Sequence, residues 1–364
     1  MKSKFLQIIP ALSAVILFLP ACKKDFIIPP LPPAVISPAI GEYILSEGGF
    51  GSNNTKLGYY ANSSATVTGD FFLQQNPTIT GGLGDTGNDM IIYGGKLYIV
   101  MNNSGRVTVT NASNAIFLKN ISFFNGAANK FPRNLVGARG KVYVTASDNT
   151  VSVIDTTSLS IIKTIPVGAN PEGIAATADY LYVANSGGFN TVPDSTVSLV
   201  DLNTETEIRK IKVGVNPNKV EVSAGGNIFV SAYGNFSTIP ASVSVINGST
   251  NLTSVNLGAG FNYSHLRIFN DLAYLYNNYG GGGTAKVYNT ATNTIIRNEF
   301  ITDGTVIQTP YGLNIDEQNG DVYIADAGNF VSAGSVTCFT AGGVKKFSFS
   351  TAPGVNPNKI VFRR

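Results

Sequence analysis

Residues that could carry out catalysis are sparse in this chain of 364 residues. The sequence contains one histidine, His265, and two cysteines, Cys22 and Cys338. It shows no nucleophile accompanied by a base, no phosphate-binding loop and no histidine-rich metal motif. The sequence therefore predicts a protein that is not an enzyme and that has no catalytic residue, metal or cofactor.

Three local features could be mistaken for reactive sites, and each has a simpler structural interpretation. His265 stands beside a repeated turn, where a packed histidine is expected and a ligand contact is the alternative. Cys338 falls in a predicted strand, which predicts a buried and inert thiol. Residues 316–321 (DEQNGD) are acidic, but they lack the regular acidic spacing and final glutamate of a calcium loop, so a hairpin turn is predicted.

Aromatic side chains indicate binding rather than catalysis. They recur in the longest predicted loops and are interleaved with Asn and Gly, which suits a large, rigid, partly planar ligand or sugar rings. The alternative interpretation, in which the rings pack back onto the fold, stays open at this point. The candidate ligand-binding residues are Phe50, Phe131, Arg133, Phe189, Tyr233, Phe236, Tyr263, Tyr279, Tyr311 and Phe330.

The elements that position these loops form a repeat. Each copy has a turn that usually contains proline, an apolar strand, a polar turn and a second apolar strand with Tyr or Phe, as in 170–174 followed by 181–185. A third and a fourth strand follow most copies, and the copies succeed one another at steps of roughly 39 to 47 residues. Four short strands at this period are typical of propeller blades. The repeat anchors are Gly87, Pro132, Pro171, Pro217, Tyr263, Pro310 and Pro357.

The two ends of the repeat region complement each other. Residues 355–362 copy 215–222 but stop after one strand, whereas 43–50 copy 182–189, a second strand that lacks a first. The last strand would therefore complete the first blade and close the ring, which removes open sheet edges. We expect an all-β, seven-bladed β-propeller of four-stranded blades over residues 42–364.

The first 41 residues predict export and lipid anchoring. Lys2 and Lys4 precede an apolar stretch that ends at Phe18, and Ala21 precedes Cys22, as at the cleavage site of a bacterial lipoprotein signal. We expect a signal peptide at 1–21, acylation of Cys22, and a proline-rich tether at 22–41. The prediction is a lipid-anchored protein of the outer membrane, on the cell surface rather than the periplasmic face.

Charge excludes nucleic acid as a partner. The formal net charge is +3, two of the basic residues lie in the predicted signal peptide, and no run of Lys or Arg exceeds two residues. Binding to nucleic-acid phosphates requires clustered basic side chains.

The repeats resemble a known propeller family. Residues 167–174, 181–185 and 197–201 resemble the YVTN/YncE-like repeat, and this resemblance implies the propeller fold over nearly the whole mature chain. Residues 46–54, 84–94 and 184–189 are similar to Bacteroidetes lipoprotein propellers that include the BtuG-type cobalamin-capture proteins. This narrower resemblance implies capture of a small molecule, a cobamide, for a TonB-dependent outer-membrane transporter. The alternatives are a protein-interaction scaffold at the cell envelope and, less favoured, a propeller lyase or lactonase.

Overall fold

Seven four-stranded antiparallel sheets make up the structure, a computed structural model that describes residues 36–188, 190–247, 253–278 and 285–364. Residues 36–364 form one compact unit. The first strand of each sheet contacts the first strand of the next, and the order of contacts closes on itself. The chain is therefore a seven-bladed β-propeller, as the sequence predicts.

Blade 1 joins the two ends of the propeller, whereas blades 2–7 are each continuous in sequence. From the axis outward, blade 1 contains β30 (Pro357–Arg363), β1 (Gly41–Ser46), β2 (Lys56–Ala61) and β3 (Thr66–Thr68). Blade 2 contains β4 (Gly87–Tyr93), β5 (Lys96–Met101), β6 (Arg106–Asn111) and β7 (Phe117–Ser122). Blade 3 contains β10 (Pro132–Ala138), β11 (Lys141–Ala146), β12 (Thr150–Asp155) and β13 (Ser160–Pro166).

The remaining four blades follow the same plan. Blade 4 contains β14 (Pro171–Ala176), β15 (Tyr180–Asn185), β16 (Thr196–Asp201) and β17 (Thr206–Lys212). Blade 5 contains β18 (Pro217–Val222), β19 (Ile228–Ala232), β20 (Ser242–Ile246) and β21 (Ser254–Asn256). Blade 6 contains β22 (His265–Phe269), β23 (Leu272–Tyr276), β24 (Lys286–Asn289) and β25 (Thr294–Arg297). Blade 7 contains β26 (Pro310–Ile315), β27 (Val322–Asp326), β28 (Ala333–Phe339) and β29 (Lys345–Val355).

Ring closure occurs between β1 and β30. Ile44 is paired with Ile360 and Gly41 with Arg363 in an antiparallel register. The amide of Ile40 also donates a hydrogen bond to the carbonyl of Arg363 at 2.8 Å. The C-terminal strand thus completes the N-terminal blade, as predicted from the two partial repeats.

One aromatic ring per blade forms the core between neighbouring sheets. It comes from the middle of the second strand, and each of these rings is at most 4% exposed. Burial of a ring this large contributes strongly to the hydrophobic stabilisation of each blade. The residues are Tyr43, Tyr98, Tyr143, Tyr182, Phe229, Tyr274 and Tyr323. The aromatic position of the repeat is therefore structural.

Two small elements between blades were not predicted. Helix α1 (Phe71–Gln75) follows blade 1, where the Asp70 carboxylate accepts a hydrogen bond from the amide of Leu73 at 3.2 Å. The hairpin of β8 (Phe124–Asn125) and β9 (Ala128–Asn129) lies between blades 2 and 3. Among the described residues, no helix has the length and apolar character needed to cross a membrane.

Candidate functional site

One face of the propeller, the loop face, carries most of the predicted ligand-binding residues. It is formed by the loops from second to third strands and by the connections from each blade to the next. The first strands surround a channel that opens on this face. Phe189 and Tyr279, also predicted as ligand-binding residues, lie outside the described residues, as does Cys22.

Four phenylalanines of the predicted set project from the loop face, and we call them the aromatic crown. Phe50 and Phe236 are 74% and 76% exposed, and Phe131 and Phe330 are 38% and 37% exposed. Phe50, Phe236 and Phe330 stand in loops between second and third strands, whereas Phe131 precedes β10. These rings do not pack fully onto the neighbouring blades, so they leave apolar surface available to a partner.

Three crown residues have left-handed backbone conformations. The φ angles are +49° at Phe131, +55° at Phe236 and +64° at Phe330. This region is unfavourable for bulky side chains and is tolerated best by Gly and Asn. At the position of Phe131, directly before the anchor proline, other blades have asparagines with φ between +42° and +59°, namely Asn170, Asn216 and Asn356.

Tyr233 and Tyr311 join the crown to the channel mouth. The ring of Tyr233 lies 5.4 Å from that of Phe236, and the ring of Tyr311 lies 5.6 Å from that of Phe330, between ring centroids. The Tyr311 hydroxyl donates a hydrogen bond to the Glu47 carboxylate at 2.5 Å. Tyr233 and Tyr311 both line the upper channel, so the structure brings crown and channel residues into one continuous surface.

Arg133 and Tyr263, the other two predicted residues, are held by neighbouring side chains. The Arg133 guanidinium makes an ion pair with Glu172 at 2.8 Å in the channel. Tyr263 is half-buried, and the Lys286 ammonium lies 5.6 Å from the centre of its ring. Arg133 therefore reaches the site but is already paired, and Tyr263 stands between blades 5 and 6.

His265 is buried at the channel wall, with 5% of its surface exposed. Its Nδ1 lies 3.0 Å from the Ser264 hydroxyl and its Nε2 lies 3.4 Å from the Tyr233 hydroxyl. Burial lowers the pKa of His265 well below its usual value, with a further contribution from the positive charge of Lys219. The imidazole is therefore neutral and packed.

The other two features that could suggest chemistry are also structural. Cys338 is fully buried in β28, where burial raises the pKa of its thiol to about 12. Residues 316–321 connect β26 and β27 as a hairpin turn, in which Asp316 contacts Arg364 and Asp321 contacts Lys346 at 2.5 Å. Within the described parts of the chain, no three His, Cys, Asp or Glu side chains come together as metal ligands.

A set of charged residues in the channel was missed by the sequence analysis. Besides Arg133 and Glu172, Arg267 pairs with Glu221 at 2.9 Å, and Lys359 pairs with Asp89 at 2.8 Å. Each pair joins the first strands of two neighbouring blades. A sequence signal was present, since charged residues recur within four positions after the repeat anchors. It was not interpreted because the anchors were used only to count blades.

A family profile matches most of the propeller. The profile is described as a domain of unknown function, DUF5074, and it matches residues 40–356. A comparison with curated protein sequences found no significant match.

Solved structures share the propeller fold at low sequence identity. Hydrazine synthase of Kuenenia stuttgartiensis is 20% identical, with a TM-score of 0.57 over 70% of this chain and 76% of that chain. A quinoprotein alcohol dehydrogenase-like protein from Bacteroides thetaiotaomicron is 13% identical, with a TM-score of 0.59 over 89% and 78%. The computationally designed protein Ika8 is 12% identical, with a TM-score of 0.55 over 86% and 89%. At these identities the similarity describes the fold and not the activity.

Proposed function

This chain belongs to the DUF5074 family, a family of domains of unknown function, and we propose that it is a binding protein that captures a small molecule on its aromatic crown. The proposal is for binding without chemical transformation. It would place the ligand across the loop face, above the mouth of the channel.

The observation that carries this proposal is the combination of exposure and backbone strain at Phe131, Phe236 and Phe330. A bulky residue in the left-handed region costs folding free energy, on the order of 1 to 3 kcal/mol. Phe236 is 76% exposed and returns little of that cost through burial, and Phe131 and Phe330 each leave more than a third of their surface exposed. Strained residues cluster at ligand-binding positions, and exposed apolar patches are typical of interaction sites.

A large ligand would lie on the crown and not inside the channel. The upper part of the channel encloses about 280 Å³. This volume is at the lower limit of small-molecule pockets, so a ligand as large as a cobamide would remain outside the channel. Flat rings and the amides between them provide stacking and hydrogen bonds to such a ligand.

The finer part of the proposal rests on sequence. Similarity of 46–54, 84–94 and 184–189 to cobalamin-capture lipoproteins supports a cobamide as the first ligand to test. The signal-like segment before Cys22 supports a lipid anchor in the outer membrane, at the cell surface. With that location, a TonB-dependent transporter would be the protein that receives the ligand.

Calorimetric titration of cobalamin into the full-length chain tests the proposal. We expect one-to-one binding, and about two- to thirteenfold weaker binding after Phe236→Ser or Phe330→Ser, since loss of one stacked ring costs about 0.5 to 1.5 kcal/mol. Ile162→Ser is the matched control, because Ile162 is 52% exposed on the outermost strand of blade 3, away from the loop face. A flat titration would reject the cobamide, and equal loss in the control would reject the crown as its site.

A scaffold role is the second candidate, and aliphatic residues beside the crown favour it. Val192 and Val331 are each 79% exposed, and Ile239 is 44% exposed, all in loops of the same face. Exposed apolar patches of this kind are typical of protein-protein contacts. Recovery of a stable complex with a transporter in the absence of small molecule, sensitive to Val331→Ser, would favour the scaffold.

A further inference from the structure

The channel below the crown contains two adjoining cavities. Its upper part is lined by charged and amide side chains of the first strands. Its lower part encloses about 520 Å³ and is lined by aliphatic side chains of the same strands, including Ile91, Val136 and Val222, together with charged side chains such as Glu317 and Arg364. A polar molecule that enters from the loop face meets the upper part first.

Four cationic side chains line the upper channel, and three of them are paired. Arg133, Arg267 and Lys359 each have a carboxylate partner on a neighbouring blade, within 2.9 Å. Lys219, on the first strand of blade 5, is the fourth. Across the described residues, no carboxylate lies within 4 Å of its ammonium, which donates one hydrogen bond, to Asn134 Oδ1 at 3.3 Å. An ammonium has three donors, so most of its hydrogen-bonding capacity remains for a ligand.

The surroundings of Lys219 favour an anion. Burial lowers the pKa of Lys219, the carboxylates of Asp89 and Glu172 raise it, and the charges of Lys359 and Arg133 lower it. An anion placed beside the ammonium would favour its charged form. Glu47 is the remaining carboxylate at this cavity, and it is bonded by the Tyr311 hydroxyl. Burial raises the pKa of Glu47.

Buried amides supply further hydrogen-bonding groups at the same cavity. Asn218 and Asn278 line it and are 3% and 5% exposed. In the described structure, Asn218 Nδ2 and Asn278 Oδ1 have no hydrogen-bond partner in the protein. Buried polar atoms of folded proteins are nearly always bonded, so this donor and this acceptor are available to the hydroxyl groups of a ligand.

We propose that the upper channel is a binding site for a small hydroxycarboxylate, with its carboxylate on the Lys219 ammonium and its hydroxyl groups on the amides of Asn218 and Asn278. A ligand with both an anionic end and hydroxyl groups would bond the Lys219 ammonium, the Asn218 amide donor and the Asn278 amide acceptor together. The site lies inside the channel, below the crown, so the proposal does not depend on the function proposed for the crown.

Three probes separate the charge of the ligand from its hydroxyl groups. The full-length chain is titrated by calorimetry with D-gluconate, with D-glucitol, which has hydroxyl groups but no charge, and with acetate, which has charge but no hydroxyl groups. We expect D-gluconate to bind at least tenfold more tightly than either of the others. Absence of D-gluconate binding at 10 mM would overturn the proposal, and equal binding of acetate would overturn the role of the amides.

Variants of the lining residues test the location of the site. Lys219→Met is expected to weaken D-gluconate binding at least tenfold, whereas Lys210→Met is the control, because Lys210 is 44% exposed and pairs with Glu207 on an outer strand. Asn278→Ala is a second test should Lys219→Met not fold, and it is expected to weaken D-gluconate but not acetate. Unchanged binding in a folded Lys219→Met or in Asn278→Ala would overturn the assignment. Cobalamin and D-gluconate are titrated separately, so failure of the crown proposal remains distinguishable from failure of this one.

Discussion

Phe131 has an unfavourable backbone conformation that lowers stability, and its ring adds exposed apolar surface to the crown. It has a φ of +49° at a position where Asn170, Asn216 and Asn356 occupy the other blades. Asparagine tolerates this conformation, whereas phenylalanine and alanine do not. We expect Phe131→Asn to be more stable than Phe131→Ala by about 1 kcal/mol in urea denaturation.

Both Phe131 variants lose the same ring, so they should weaken crown binding equally. A difference in stability with equal binding would assign the strain to the backbone and the binding to the ring. Equal stability of the two variants would contradict the strain argument.

Glu42 makes the stability of the propeller depend on pH. It is fully buried, and its Oε1 accepts hydrogen bonds from Asn62 at 3.0 Å and Tyr323 at 3.2 Å. Burial raises the pKa of Glu42 from 4.5 to about 7. The folded state therefore retains the proton more strongly than the unfolded state, and this stabilisation is present below pH 4.5 and lost as pH rises to about 7.

Glu42→Gln should remove this pH dependence because glutamine resembles the protonated form. We expect the variant to be up to about 3 kcal/mol more stable than wild type near pH 8, and close to wild type near pH 4. Urea denaturation across this range provides the measurement, with the exposed Glu299→Gln as control. A constant difference between Glu42→Gln and wild type at every pH would contradict the prediction.

Residues of the channel were the hardest to predict from sequence. Partners in the ion pairs are separated by 39 positions for Arg133 and Glu172 and by 46 for Glu221 and Arg267. The strand pattern shows which residues lie near the axis. To predict which of them form ion pairs, the relative positions of the first strands of adjacent blades must also be known. The Tyr or Phe of the second strands was easier to recognise, because it recurs at the same place in each blade.

At the scale of elements, close approach of neighbouring first strands depends on glycine. A Cβ atom at Gly173, in blade 4, would lie 2.6 Å from the carbonyl oxygen of Asn218 and 2.8 Å from the Cα of Lys219, both in blade 5. We expect Gly173→Ala to destabilise the protein by about 1 to 3 kcal/mol, because the strands must separate. Gly225→Ala is the control, since the nearest atom to its Cβ would be 4.0 Å away.

Thermal denaturation followed by circular dichroism measures both glycine variants. A Gly173→Ala protein as stable as Gly225→Ala would show that the strand spacing adjusts easily. The same variant should also weaken D-gluconate binding, because it displaces the strand that carries Lys219.

The strands were more predictable than the elements between them. Blades repeat, so each strand was supported by several copies, and the seven-bladed order followed from the anchors. Helix α1 occurs once and has only five residues. Its cap at Asp70 is a short local signal, and such signals are common in loops of β proteins.

At the scale of the whole molecule, closure of the ring depends on β30. Removal of residues 357–364 would expose the inner edge of β1 and delete Asn358 and Lys359 from the channel. An open edge favours pairing with other chains. We expect this truncated protein to self-associate in size-exclusion chromatography and to lose its cooperative thermal transition.

A circular permutant provides the matched control. Ile40 and Arg363 are already hydrogen-bonded, so a short linker can join the two ends, and new ends can open between Gly94 and Gly95, where added Cβ atoms would meet no neighbour. We expect the permutant to be monomeric and cooperative. Self-association of the permutant as well would show that chain order, not closure, controls stability.

The pairing of β1 with β30 also determines when the ring can close during synthesis of the chain. Gly41 cannot pair with Arg363, its partner in the register, until every residue between them has been synthesised. At about 5 to 20 residues per second, this delay is on the order of tens of seconds. Blades 2 to 7 can form as they emerge, but the ring cannot. A chain whose synthesis stops before β30 therefore keeps the edge of β1 unpaired. Proteases and chaperones can distinguish such a chain from one that includes β30.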